Sequence, residues 1–254
     1  MPLQKAMDRD FRKGYLEIDF PTEPFDSPLP LLRDSVRVFF SNLPFLAAAT
    51  LVIYLPGKLA TQFLCYLLDI PFAGLLSYFV LEISDLLLSA LIVPAIVYGL
   101  VHRFRTGRPA PLGESLRWGR RQWLKTLANK IKVEITVTLW GALLVIPGVV
   151  AMVRLIFADI VVAVEADLEH EVLRRSTRLA RGRRWRIFFV LLPMLILDLA
   201  AMFLVLDRVQ GVTHSRVAFA IADSSLAVAG QLTTVAALLM YLGTVQKRVT
   251  KLKP

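Results

Sequence analysis

The sequence predicts an all-α polytopic membrane protein: six transmembrane helices arranged as three hairpins, with basic amphipathic helices on the cytoplasmic face. Three observations predict it. Hydrophobic residues make up 56% of the 254, charged residues only 20%, and the mean hydropathy is +0.59. Soluble domains sit at roughly 45–50% apolar and about 25% charged. Six apolar stretches are long enough for a bilayer core, which takes about 20 residues per helix. The formal net charge of +10 is carried mostly by Lys and Arg between those stretches, a loop bias that sets orientation. A soluble nucleic-acid binder could carry the charge, but not with this apolar excess. One cysteine and ordinary Gly and Pro content exclude a disulfide scaffold, collagen and a disordered chain.

Residues 1–32 are mixed in charge and rich in proline (Pro21, Pro24, Pro28, Pro30). They read as a soluble cytoplasmic tail with no secretory signal and nothing to cleave. The transmembrane domain is expected over 33–246 and a basic tail over 247–254. Spans are expected at 38–55, 72–101, 124–146, 148–166, 186–206 and 217–244. Pro56-Gly57 is expected to break the first, with Lys58 to Leu68 either prolonging it or lying flat on the outer interface. Ile146-Pro147-Gly148 reads as a tight hairpin turn, because one helix from 124 to 166 would far exceed a bilayer. Ser225, Ala229, Thr233 and Ala237, four apart in the last span, predict a close-packing face.

Orientation follows from charge. Placing the N-terminal tail, the 102–132 region, the 165–186 loop and the C-terminus on one side collects nearly all the Lys and Arg there. Only Lys58, Arg208 and Arg216 fall on the other side, and Arg154 is left inside a span. Both termini are expected in the cytoplasm, at the inner membrane. An odd number of spans would put one basic terminus outside, so six is favoured over five or seven.

Three short stretches share an acidic residue and an apolar-Arg pair: Asp34-Ser35-Val36-Arg37, Glu114-Ser115-Leu116-Arg117 and Glu171-Val172-Leu173-Arg174. Each precedes an apolar run, which reads as a surface helix feeding a hairpin, three times over. In the third, Asp167 suits a helix cap and Glu169 and Glu171 its first turn. Arg174, Arg175, Arg178 and Arg181 follow, and Gly182 supplies the stop. With Arg183, Arg184 and Arg186 beside Trp185, this segment is expected to face anionic headgroups. An ordinary positive-inside loop accounts for the same charge.

The stretch Ile146-Pro147-Gly148, Val153-Arg154, Phe157, Val162 to Glu165, Val172-Leu173-Arg174-Arg175-Ser176, Leu179, Arg181-Gly182 and Trp185-Arg186 resembles a known family. It is similar to the integral-membrane domain attached to some glycerophosphodiester phosphodiesterases, and to that domain's stand-alone bacterial inner-membrane relatives. The close match covers about 40 residues and the six-span layout nearly the whole chain. The departure is Asp167-Leu168-Glu169-His170, where relatives often carry a glycine-containing turn. The resemblance implies a membrane domain without catalytic residues or cofactor, since the family's phosphodiesterase chemistry sits in a separate soluble barrel.

The residues themselves offer no enzyme site. His102 and His170 fall on one expected side and His214 on the other, so the three cannot share a metal. Cys65 is alone, and no phosphate-loop, dinucleotide, zincin or nucleophile-elbow motif is present. Ser35, Ser115 and Ser176 have no histidine base beside them, and helix packing is their expected role. What asks for an explanation is an intramembrane polar cluster: Arg154, Glu82, Asp85, Glu134, Asp159, Asp198 and Asp223. Each charge at mid-bilayer costs about 2.5–3.5 kcal/mol on insertion scales and should face protein or water. Either the acids line a polar cavity for a cation, protons or a polar headgroup, or they hydrogen-bond across helices while protonated. Arg154 is expected to turn inward to Asp223, Glu82 or Asp198. Two functions are therefore weighed. One is a non-catalytic protein acting on lipids or membrane-protein assembly through its basic helices, with anionic lipids and a protein partner or second copy as partners. The other is a small transporter or channel. A water-filled cavity joining Glu82, Asp85, Asp159 and Asp198 would favour the second.

Overall fold

The computed structural model describes residues 28–71, 74–165, 171–201, 203 and 215–252, and among these the regular structure is helical throughout. The helices are α1 (Pro28–Ser41), α2 (Leu43–Leu67), α3 (Leu75–Thr106), α4 (Leu112–Leu143), α5 (Val145–Leu155), α6 (Ala158–Val164), α7 (Val172–Ala180), α8 (Arg184–Ala201) and α9 (Arg216–Leu252). Four stretches are long and apolar enough to cross a membrane: α2, α3, Ile146–Val164 and Arg216–Val245. A band of exposed Phe63, Leu67, Leu75, Phe79, Leu143 and Ile196 clothes the outside. Such a band is the mark of a surface that faces lipid.

α3 stands at the centre. Residues 92–101 are all buried, which only a helix surrounded on every side sustains. It ends on Gly107 at φ +69, whose N–H donates to the Arg103 carbonyl, with Arg103 and Arg105 at the dipole's negative end. α4 packs along it, and α2 and α9 pack on each other and on α3. Gly119 makes the α3–α4 approach: a Cβ there would stand 2.5 Å from the Leu91 carbonyl oxygen. Trp123 Nε1 donates to the Leu87 carbonyl at 3.0 Å, fixing register between the two. α1 lays Leu31, Ser35 and Phe39, one turn apart, against α9 and α8.

Several expectations are corrected. Pro56-Gly57 does not break the first span; α2 runs through it to Leu67. The hairpin turn is not at Pro147-Gly148. The chain reverses at Leu144, which is extended (φ −159°, ψ 138°), and Pro147 lies in the first turn of α5, where its missing N–H costs nothing. Gly148 instead lets α5 close on α4, since a Cβ there would meet Gly141 Cα at 2.7 Å. The expected loop at 102–132 and span at 124–146 are joined in one 32-residue helix, α4. The fourth span is interrupted at Ile156-Phe157. The small-residue face of the last span is not close-packed along its length, because Ser225 and Ala229 are exposed.

Ser35, Ser115 and Ser176 are fully buried. The first two donate to carbonyls one turn back, Leu31 and Pro111, and Ser176 Oγ donates across to the Arg154 carbonyl at 2.9 Å. The helix of the third unit starts at Val172, after Glu171, and Gly182 follows its end at φ +79. Asp167, Glu169 and His170 lie outside the described residues, as do His214, Arg208 and most of the N-terminal tail.

Candidate functional site

Lys58 is the most informative side chain. It sits on α2 directly after Pro56-Gly57 and is 1% exposed, with Nζ 2.7 Å from Asp85 Oδ2 on α3 and 2.6 Å from Asp223 Oδ2 on α9. Gly57 allows this closeness, because a Cβ there would meet Leu88 Cδ2 at 2.6 Å. One turn on, Thr61 and Ser84 share a hydroxyl bond of 2.8 Å across the same helix pair. Three helices are thus tied by one ammonium. Lys58 therefore lies buried within the helix and not in a segment flat on an interface.

Asp85 and Asp223 open the other way, into a cavity of 620 Å³. Glu82, Glu134, Asp159 and Lys130 share its wall, with Tyr54 from α2 and Gln231 and Thr234 from α9. Lys130 Nζ is 2.8 Å from Asp159 Oδ2, and Asn129 Nδ2 donates to the other oxygen at 3.3 Å. Five carboxylates therefore face two ammonium groups, an excess of negative charge bounded by apolar Ile83, Ile156 and Ile160. Among the described residues no group of three or more His, Cys, Asp or Glu is placed to hold a metal ion.

Of the seven residues expected in the intramembrane cluster, five line this cavity: Glu82, Asp85, Glu134, Asp159 and Asp223. Asp198 is exposed on α8, outside it. Arg154 does not turn inward. It is exposed, and it lines a separate cavity with Arg174, Arg178 and Arg181. The partner expected for the acids was the wrong base, and Lys58 takes that place.

The seven arginines expected to form a headgroup surface also divide. Arg175 donates from Nε and Nη2 to the Glu165 carboxylate at 3.1 and 3.2 Å, and the buried Tyr241 hydroxyl donates to the same group at 2.6 Å. Arg183 Nη1 donates to Thr244 Oγ1 at 2.6 Å. Through Tyr241 and Thr244, both on α9, Glu165 and Arg183 are held to the bundle. Arg174, Arg178, Arg181, Arg184 and Arg186 are exposed, with Trp185 beside the last two at 75% exposed. His102 lies against Tyr98, ring centroids 6.2 Å apart. Cys65 is buried and free.

Comparison of the chain with family models, with curated proteins and with solved structures gave no match.

Proposed function

We propose that the protein is a small transporter of the membrane, binding an organic cation in the charged cavity and carrying it across. One observation carries this reading: five carboxylates and Lys130 face a single 620 Å³ space inside an apolar-surfaced helical bundle, and the buried Lys58 is bonded to two of those carboxylates. Ionisable groups among membrane helices are expensive and mark pathways for charged solutes. The volume is that of a small-molecule pocket, and the isoleucines of the wall suit a carbon skeleton. The Lys58 ammonium between Asp85 and Asp223 is a built-in example of the ligand chemistry. No bond is made or broken, so the reading is non-catalytic.

Methylguanidinium is a suitable probe, because it stays charged and carries N–H donors. Proteoliposomes should take it up several-fold faster than protein-free liposomes. Glu82→Gln and Glu134→Gln, which remove charge from the wall, should bring uptake close to background. Uptake no faster than protein-free liposomes overturns the transport reading.

In this proposal α4, and α8 with the chain beyond it, complete six spans as three hairpins, with both termini on the cytoplasmic side of the inner membrane. The distribution of Lys and Arg supports the orientation. Cysteine placed at Gln210 in a Cys65→Ser background should label with an impermeant thiol reagent in intact cells. Cysteine at Thr106 should label only after permeabilisation, and external labelling there would reverse the topology. Membership of the family of phosphodiesterase-linked membrane domains is part of the same proposal. Its support is that Glu165, Arg175 and Ser176, all in the resembling stretch, form one connected junction between α6, α7 and the end of α5.

A further inference from the structure

Lys58 reaches Asp85 and Asp223 from the protein side. It is 1% exposed and takes no part in the wall of the charged cavity, whereas both aspartates line that wall. Its Nζ is bonded to Oδ2 of each. Among the described residues neither Oδ1 makes a hydrogen bond. A solute in the cavity therefore meets two carboxylates with acceptor oxygens to spare, one carried by α3 and one by α9. The ammonium stays behind them.

Two carboxylates bonded to one nitrogen stand within about 5 Å of each other, where like charges among apolar walls repel strongly. Lys58 offsets that repulsion and sets their spacing. The chain around it fixes its place: Gly57 lets α2 close on Leu88 of α3, and Thr61 bonds Ser84 one turn on. Lys130 is arranged differently, because it is itself part of the wall, beside the Asp159 it binds. Glu82 and Glu134 add negative charge to the same space.

We infer that Lys58 is a positioning residue. It sets Asp85 and Asp223 side by side as a paired acceptor, and the pair selects cations that carry N–H donors over quaternary ammonium. This rests on the cation reading of the cavity and adds the class of cation. A planar guanidinium offers N–H groups that match carboxylate oxygens, and a primary ammonium offers three donors. A quaternary ammonium has none and is ordinarily held in a cage of aromatic faces. Among the described residues of this wall, Tyr54 is the one aromatic.

The test compares methylguanidinium with tetramethylammonium, each binding to the full chain in neutral detergent, by calorimetry. The wild-type protein should prefer methylguanidinium by at least about tenfold, the factor that one charge-assisted hydrogen bond supplies. In Lys58→Met that preference should fall close to one, because methylguanidinium loses the paired acceptor while tetramethylammonium responds to net charge alone. Asp223→Ala leaves Lys58 its bond to Asp85 and removes one acceptor, so the preference should fall there too. That variant gives the answer if Lys58→Met does not fold. Lys130→Met removes the same unit charge and should keep the wild-type preference. A lysine that acted through charge alone, or through stability alone, would shift both probes together and leave their ratio unchanged. An unchanged ratio in Lys58→Met or in Asp223→Ala overturns the inference, as does a wild type that binds both probes equally or neither. Selective binding without uptake into proteoliposomes overturns the transport reading and leaves the paired acceptor standing. Uptake with unselective binding does the reverse.

Discussion

Replacing Lys58 by methionine should destabilise the protein by about 3 kcal/mol, read as a fall on the order of 10 °C in melting temperature in detergent. Methionine keeps the length and volume of the stem, so packing around Gly57 and Leu88 is nearly conserved. What is lost is the ammonium between two carboxylates 2.6 and 2.7 Å away. Breaking one side of a buried pair leaves the other charge in place without its partner, at about 3–5 kcal/mol. Asp85 is 42% exposed to the cavity, and hydration there holds the loss near the lower end. Adding Asp85→Asn and Asp223→Asn to Lys58→Met should restore part of the stability, since neutral amides beside a thioether repel nothing. Strictly additive losses across the three substitutions would mean that Lys58 acts by shape alone.

The second large effect is expected at Gly119. Valine there places carbon against the Leu91 carbonyl oxygen and the Ala95 methyl, which an added Cβ would meet at 2.5 and 3.0 Å. Backbone cannot rotate aside as a side chain does, so α4 must move off α3. Overpacking of this kind costs about 1–3 kcal/mol, and the contact with backbone puts Gly119→Val at the upper end. Gly141→Ala on the same helix is the control, because nothing lies within 4 Å of a Cβ there. It should be neutral or stabilising by up to about 1 kcal/mol, as glycine is the poorer helix former. Similar melting temperatures for Gly119→Val and Gly141→Ala would show that the α3–α4 approach is not what glycine serves.

Helical architecture was legible in the sequence because apolar run length is a direct physical requirement of the bilayer. The acids were legible for a related reason: a carboxylate in an apolar run needs a polar neighbour, and five of six found one cavity. Lys58 was missed because Pro56-Gly57 read as a break, which left the lysine either prolonging the span or lying flat on the outer interface. Proline removes one helical bond and glycine adds freedom, yet packing against α3 and α9 keeps α2 continuous. A lone lysine in an otherwise apolar run was the available signal. Arg154 was misread in the opposite sense. Its depth from the hairpin suggested the acids, but rotation about α5 decides which side it faces, and in the structure it faces the arginines that follow on α7. Nor does residue spacing reveal that Glu165 gathers Arg175 and Tyr241, since Tyr241 arrives from the far end of the chain.

The interruption at Ile156-Phe157 has a consequence for how distant parts of the protein communicate. On one side of it, Ala151, Arg154 and Leu155 form a wall of the arginine cavity. At it and beyond it, Ile156, Asp159 and Ile160 form a wall of the acidic one. The two chambers thus share one stretch of chain as a wall, and Ser176 is bonded to that stretch at the Arg154 carbonyl, just before the interruption. Any displacement of the stretch moves both walls at once. A ligand in one chamber that favours a particular position of it then alters affinity in the other, and reciprocity makes the two factors equal. The sign of that influence is set by which position each ligand prefers, and binding isotherms for a ligand of one chamber recorded with and without a ligand of the other measure it directly.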